Sequence, residues 1–187
     1  MNRWLLIDVS YLCWRAFYTV GTLHNGTTYG FCKDLRFLMD QFATNRVAFC
    51  FDVGRSKRAK LYPDYKKRGI RTEEEQLKQL EVYQAINLIR TEHLPILGFK
   101  NIFWQEGYEA DDLIASVLNR MDQETYEEGQ EVVIISSDQD LYQLLDDNVS
   151  IYNPTKKELL SNTLFTKRYG IRPDQWPMVK AIAGCKS

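Results

Sequence analysis

The chain has 187 residues, 44% of them hydrophobic, and a formal net charge of −1, enough apolar material to bury one sizeable core as a single domain. It holds no apolar run long enough to form a membrane-spanning helix, and its start lacks a basic stretch followed by an apolar segment and a small-residue cleavage site, so the expectation is a soluble, unexported, cytoplasmic protein. The four cysteines, Cys13, Cys32, Cys50 and Cys185, lie far apart without a C-x-x-C pair and read as reduced thiols, neither zinc ligands nor a disulfide frame.

Strand-like runs at about 3–8, 46–52, 100–104, 131–138 and 148–152 alternate with helix-like stretches, which predicts an α/β domain with a mostly parallel, doubly wound sheet and helices on both faces. Between the first two strands, Phe31, Leu35, Leu38, Met39 and Phe42 follow helical spacing and form a stripe for packing on the sheet. After the second strand the charge changes character. Residues 1–72 carry 13 Lys and Arg against 5 Asp and Glu, the remainder 11 against 20. The basic excess concentrates between Arg55 and Arg71, where eight cations meet one acid, Asp64, with Tyr62 and Tyr65 interleaved. A solvated loop accounts for a bare charge run; aromatic rings among the cations add a second reading, a strand of nucleic acid giving phosphates to the charges and bases to the rings.

Thr72 with Glu75 three residues later matches a capping box, predicting a helix that runs to about Glu92, ahead of Pro95 and Gly98. A further helix begins near Glu109 and carries Leu113, Ile114, Val117, Leu118 and Met121 on one face, and Gly129 falls in the turn feeding the fourth strand. Short helices follow at Thr163–Tyr169 and from Pro173 to about Gly184.

Three strand-like runs end in an acid: Leu5-Leu6-Ile7-Asp8, Phe49-Cys50-Phe51-Asp52 and Ile134-Ile135-Ser136-Ser137-Asp138. An acid closing a buried strand sits at the carboxyl edge of the sheet, where open α/β folds bind ligands. Glu109, Asp111 and Asp112 at a helix start, and Asp140 two residues beyond Asp138, bring the set to seven. Singly, the helix-start acids are ordinary partners of the helix dipole, and Asp138 is an ordinary cap. Together at one edge they repel unless cations neutralise them. Oxygen donors without a nearby Cys or well-placed His point to Mg²⁺ or Mn²⁺ and away from zinc; His24 and His93 read as surface or loop residues. Two such ions about 4 Å apart suit phosphodiester hydrolysis, with the basic segment delivering cations to the same edge.

The residues Leu5-Leu6-Ile7-Asp8 with Arg15-Ala16-Phe17, then Phe51-Asp52, Arg58, Tyr65-Lys66, Gly107-Tyr108-Glu109-Ala110-Asp111-Asp112, Ser137-Asp138-Gln139-Asp140-Leu141-Tyr142-Gln143-Leu144-Leu145 and Tyr169-Gly170-Ile171-Arg172-Pro173-Asp174-Gln175-Trp176 resemble, in order, the 5'-nuclease family. That family includes the 5'-3' exonuclease domain of bacterial DNA polymerase I, phage 5'-exonucleases and flap endonucleases, and its PIN-like fold carries a helical arch. The resemblance implies an intracellular, bacterial or phage-encoded monomer that uses Mg²⁺ or Mn²⁺ to cut DNA at flaps, nicks or single-stranded 5' ends, or RNA primers, in replication or repair. It implies that Asp8, Asp52, Glu109, Asp111 and Asp112 serve the first metal and Asp138 and Asp140 the second. Lys66 corresponds to the lysine steering the scissile phosphate, Arg15 and Arg58 to basic positions lining the site, and Tyr65 to a residue beside an unpaired nucleotide. The helix from Thr72 with the basic segment before it corresponds to the arch.

Two departures stand out. The family's Arg three residues beyond its Tyr-Lys lysine is Gly69 here, with Arg68 and Arg71 as nearby substitutes. Where the family continues through Gly-Asp-x-x-Asp-Asn into a helix-hairpin-helix, this sequence reads Gly184-Cys185-Lys186-Ser187 and stops. The expectation is therefore a catalytic core over residues 1–187, truncated before the duplex-gripping region, with an incomplete second metal site. Alternatives are a nucleic-acid-binding module with little turnover and a PIN-like ribonuclease. An Asp-x-Asp phosphatase fits less well because Ser10 stands two beyond Asp8.

Overall fold

The computed structural model describes residues 2–54, 56–62, 64–65, 72–124 and 129–184, without the side chains of 122–124. Strand β1 (Asn2–Asp8) leads into helices α1 (Val9–Val20) and α2 (Gly26–Gln41), then β2 (Val47–Phe51), the short α3 (Lys57–Leu61) and α4 (Glu73–Leu88). A π-helical turn, Ile89–His93, carries α4 into α5 (Leu94–Ile96), followed by β3 (Ile102–Trp104), α6 (Ala110–Glu124) and β4 (Gln130–Ile135). A 3₁₀ turn, Gln139–Leu144, precedes β5 (Val149–Asn153) and β6 (Glu158–Leu160); α7 (Asn162–Tyr169), a 3₁₀ turn at Pro173–Gln175 and α8 (Trp176–Ala183) close the described chain.

The six strands lie in the order β3-β2-β1-β4-β5-β6, parallel through β5, with β6 antiparallel at the edge. Alternation along the strands divides the core. Leu5, Ile7, Phe49, Phe51, Val133 and Ile135 pack with Leu12, Phe31, Leu35, Leu38, Val82 and Ile89 from α1, α2, α4 and the π turn. Leu6, Cys50, Val132, Ile134 and Ile151 pack with Ile114 of α6, Phe165 of α7 and Trp176 of α8 on the other face. With both faces covered, the strands read as almost unbroken apolar runs. The expected doubly wound α/β domain is what forms.

Three elements differ from the sequence reading. The single predicted stripe between the first two strands belongs to the second of two helices, split at residues 21–25 by a turn whose Asn25 takes the left-handed conformation at φ 56°. The helix predicted to end near Glu92 has its capping box, with Glu75 N–H to Thr72 Oγ1 at 3.2 Å and Thr72 N–H to Glu75 Oε2 at 2.9 Å, but passes Glu92 to include Pro95. Proline lacks an N–H and crowds the carbonyl four residues back; the widened turn, closed by Leu94 N–H to Ile89 O, falls immediately before it. The three-residue β6 was not anticipated; it pairs Ile151 with Leu160 and Asn153 with Glu158.

Candidate active site

Strand order reverses direction between β1 and β4, and in open α/β sheets that switch point opens the ligand crevice beyond the carboxyl ends of the strands. A cleft of about 730 Å³ lies there, lined by Asp8 from the end of β1, Asp52 just past β2, Glu109 before α6, and Ser136, Ser137 and Asp138 beyond β4. Ser10, Tyr11, Trp14, Tyr83 and Tyr108 complete much of its wall.

Each acid doubles as a local structural element. Asp8 caps α1, accepting from Tyr11 N–H at 3.0 Å, and its other oxygen accepts from Ser136 Oγ at 2.9 Å. Asp52 accepts from Ala110 N–H at 2.6 Å, tying the end of β2 to the positive end of α6. Asp138 caps the 3₁₀ turn through Asp140 N–H at 2.8 Å, and its own N–H donates to Ser136 Oγ at 3.2 Å, so Ser136 joins the β1 and β4 acids. Although Asp8 opens on the cleft, it is packed round by protein. That desolvation, partly offset by the Tyr11 N–H and reinforced by the charges of Asp52 and Asp138, lifts its carboxyl from 3.8 to about 7.

The seven acids expected in one cluster separate into groups. Asp8, Asp52, Glu109 and Asp138 share the cleft. Asp111 and Asp112, with Glu109, face Arg58: its guanidinium lies 2.9 Å from Glu109 Oε2 and 3.3 Å from Asp111 Oδ2, and also bonds Asp112 Oδ1. Burial raises the Asp111 carboxyl, with Arg58 opposing. Asp140 pairs with Lys180 of α8 at 3.0 Å. Among the described residues, no three acids, histidines or cysteines stand close enough to hold one ion. Like charges spread apart, and capping bonds and Arg58 take up many of the carboxylate oxygens.

The expected basic residues fare unevenly. Arg58 stands among the acids, and Tyr65 donates its hydroxyl to Glu109 Oε2 at 3.0 Å. Arg15 instead forms an ion pair with Asp34 of α2 and does not line the cleft. Lys66 and Arg68 lie outside the described residues.

Several wall residues escaped the sequence reading. In the sequence Ser136 stands only as part of a strand-like run. Trp14 stacks on Tyr18 at 5.9 Å between ring centroids and meets Tyr83 of α4 edge-on at 6.4 Å, while Tyr18 and Tyr83 are 77% and 53% exposed. The signal was present, since Tyr11, Trp14 and Tyr18 recur at helical spacing directly after the acid that caps their helix.

The fold and cleft define a doubly wound α/β domain with carboxylates gathered at its strand-order switch. Residues 3–170 match the model of the 5'-3' exonuclease N-terminal, resolvase-like domain, and the chain belongs to that family. It is 31% identical over 190 residues to the thermostable DNA polymerase I of Thermus thermophilus, covering 98% of this chain and 21% of the polymerase. It is 29% identical over 193 residues to a 5'-3' exonuclease of Aquifex aeolicus, covering 100% of this chain and 63% of that protein. The chain thus spans about a fifth of the polymerase and less than two thirds of the exonuclease. A phage T5 flap endonuclease, solved as a pseudo-enzyme-product complex with DNA and metal ions, shares the fold at a TM-score of 0.74 and 20% identity, covering 98% of this chain and 66% of that one. No helix among the described residues is long and apolar enough to cross a membrane.

Proposed function

We propose that this chain is a divalent-metal-dependent, structure-selective 5'-nuclease domain that hydrolyses phosphodiester bonds near the 5' ends of DNA. The observation that carries the reading is the meeting of Asp8, Asp52, Glu109 and Asp138 in one open cleft at the strand-order switch of a 5'-3' exonuclease family member. All four donors are carboxylates, which suits Mg²⁺ or Mn²⁺, and a cation in the cleft would return the raised Asp8 carboxyl to its ionised form. We assign these four to the ions, with Asp111, Asp112 and Asp140 completing the set; because no three of the described acids stand close enough to hold one ion as they lie, loading would draw them together. Bound there, divalent ions would activate a water and polarise the scissile phosphate.

The remaining groups bind and orient. Ser136 holds Asp8 against Asp138, and Asp52 holds the start of α6. Trp14 and Tyr83 line the cleft, and the exposed Tyr18 stacks on Trp14, so these rings are offered to unpaired bases, a contact every base can make. Lys66, next to the Tyr65 that touches Glu109, is assigned to the scissile phosphate, and Arg68 to the strand beyond it. Phosphate and stacking contacts read shape more than sequence, so flaps, nicks and single-stranded 5' ends are the expected substrates, with RNA primers as a variant of the same geometry. Support for DNA as substrate comes from the T5 relative's complex.

The test is incubation of the purified chain with a labelled 5'-flap, a nicked duplex and a single strand, in Mg²⁺, Mn²⁺ or EDTA. Short products released from the 5' end only with metal are expected. DNA binding without metal-dependent cleavage on any of them would overturn the reading in favour of a binding module.

A further inference from the structure

We propose that Arg58 is an internal counter-cation of the acidic start of α6, exchanged for divalent metal as the site loads and thereby released toward substrate phosphate. The proposal rests on the metal-dependent reading above and assigns Arg58 a positioning role that links metal binding to substrate grip.

The geometry begins with α3. Ser56 caps it, accepting from Arg58 N–H at 3.2 Å; Lys57 N–H donates to Gly107 O at 2.8 Å, and the Lys57 ammonium lies 4.0 Å from the centre of the Tyr108 ring. Those contacts dock α3 on the turn that leads to Glu109. From there one guanidinium reaches Glu109, Asp111 and Asp112, while Tyr65 shares the Glu109 oxygen. Three of the seven acids thus share one resident positive partner, Arg58.

A divalent ion drawing on those oxygens competes with Arg58 for them. Mg²⁺ coordinates at about 2.0–2.1 Å, which would bring a double charge close to the guanidinium and repel it. Arg58 gives up three ion pairs on leaving, but its side chain is 42% exposed, where solvent screens each such pair to a small contribution, and α3 has no buried residue to anchor it. A released guanidinium keeps its charge and presents a planar fork of donors matched to phosphate oxygens. Since coupling between two ligands is reciprocal, phosphate that draws Arg58 away must tighten metal binding by the same factor.

Two measurements without DNA or turnover test this. In the first, Mn²⁺ binding is titrated by electron paramagnetic resonance in wild type, Arg58→Gln and Arg58→Lys. Removing the competing charge should tighten Mn²⁺ binding about tenfold in Arg58→Gln, equivalent to about 1.4 kcal/mol, with Arg58→Lys between. In the second, wild-type protein is labelled with an arginine-selective dicarbonyl and mapped by mass spectrometry; Arg58 modification should accelerate several-fold on adding Mn²⁺. Equal or weaker Mn²⁺ binding by Arg58→Gln, or an Arg58 labelling rate that Mn²⁺ leaves unchanged or slows, would overturn the exchange while leaving the nuclease reading standing. Absence of Mn²⁺ binding by wild type and both variants would overturn the metal-dependent reading itself. The labelling arm uses wild-type protein only and stands even where a variant fails to fold.

Discussion

Ser136 Oγ donates a 2.9 Å hydrogen bond to Asp8 Oδ2 across the seam between β4 and β1, where strand order reverses. This bond and the Tyr11 N–H favour the ionised carboxylate, yet desolvation prevails and the carboxyl rises to about 7. In the unfolded chain the same group titrates near 3.8. Between those values the folded state keeps a proton that the unfolded state has lost, so this group's contribution to stability is complete below about pH 4 and is lost as pH rises to about 7.

With a chelator present, wild type should therefore lose stability relative to Asp8→Asn between pH 4.5 and 7.5, by on the order of a few kcal/mol. Mg²⁺ at pH 7.5 should restore stability to wild type and not to the variant. Denaturant midpoints at a series of pH values check this. Parallel curves for the two proteins would show that Asp8 is not desolvated as described. Ser136→Ala, which removes a bond favouring the charged form, should shift the wild-type loss to higher pH.

Replacing Asp138 or Asp111 with Asn removes a charge while preserving size. Asn at 138 can still accept the Asp140 N–H that caps the 3₁₀ turn. Both variants should unfold within about 1 kcal/mol of wild type, yet each should lose at least about a hundredfold in Mg²⁺-dependent cleavage of a flap substrate, since a missing ligand weakens the ion that stabilises the transition state. Wild-type rates from either would remove that residue from the metal set.

At the cleft mouth, Trp14→Ala should weaken binding of a single-stranded oligonucleotide by about 1–3 kcal/mol, the usual worth of one stacked base. Tyr18→Ala should do less, because its ring reaches the cleft only through Trp14. Fluorescence titration against blunt duplex provides the contrast, and equal losses on both DNAs would mean that the rings do not read unpaired bases.

What could be read in advance follows the range of the forces involved. Leu5-Leu6-Ile7-Asp8 announces a buried strand and its exit acid within four residues, and Thr72 with Glu75 announces a helix start within four more, because both signals are local. The cleft acids Asp8, Asp52 and Asp138 were legible for the same reason: each closes or follows a strand. Arg58 among Glu109, Asp111 and Asp112 joins positions 51 to 54 residues apart, and Arg15 with Asp34 joins two helices across a turn. No local periodicity encodes such pairs. The edge strand β6 is three residues long and gains its pairing only from β5, so its own sequence carries too little alternation to announce it.

Beyond the cleft, Trp176 couples the end of the described chain to the Asp138 turn. Its ring is 7% exposed, packs edge-on against Phe165 at 5.5 Å and lies 5.0 Å from Tyr169, and its Nε1–H donates to Gln139 O at 2.7 Å. One helical turn later, Lys180 reaches Asp140. Trp176→Ala should cost about 3–5 kcal/mol through the cavity it leaves. Trp176→Phe keeps most of the packing but strands the Gln139 carbonyl, for about 1–3 kcal/mol, and leaves enough structure to assay. In that folded variant the 3₁₀ turn carrying Asp140 loses an anchor. Mn²⁺ affinity should therefore fall several-fold, while Trp14-dependent binding of single strands stays unchanged. A Trp176→Phe protein with wild-type Mn²⁺ affinity and a lowered unfolding midpoint would show that α8 stabilises the fold without positioning the acids.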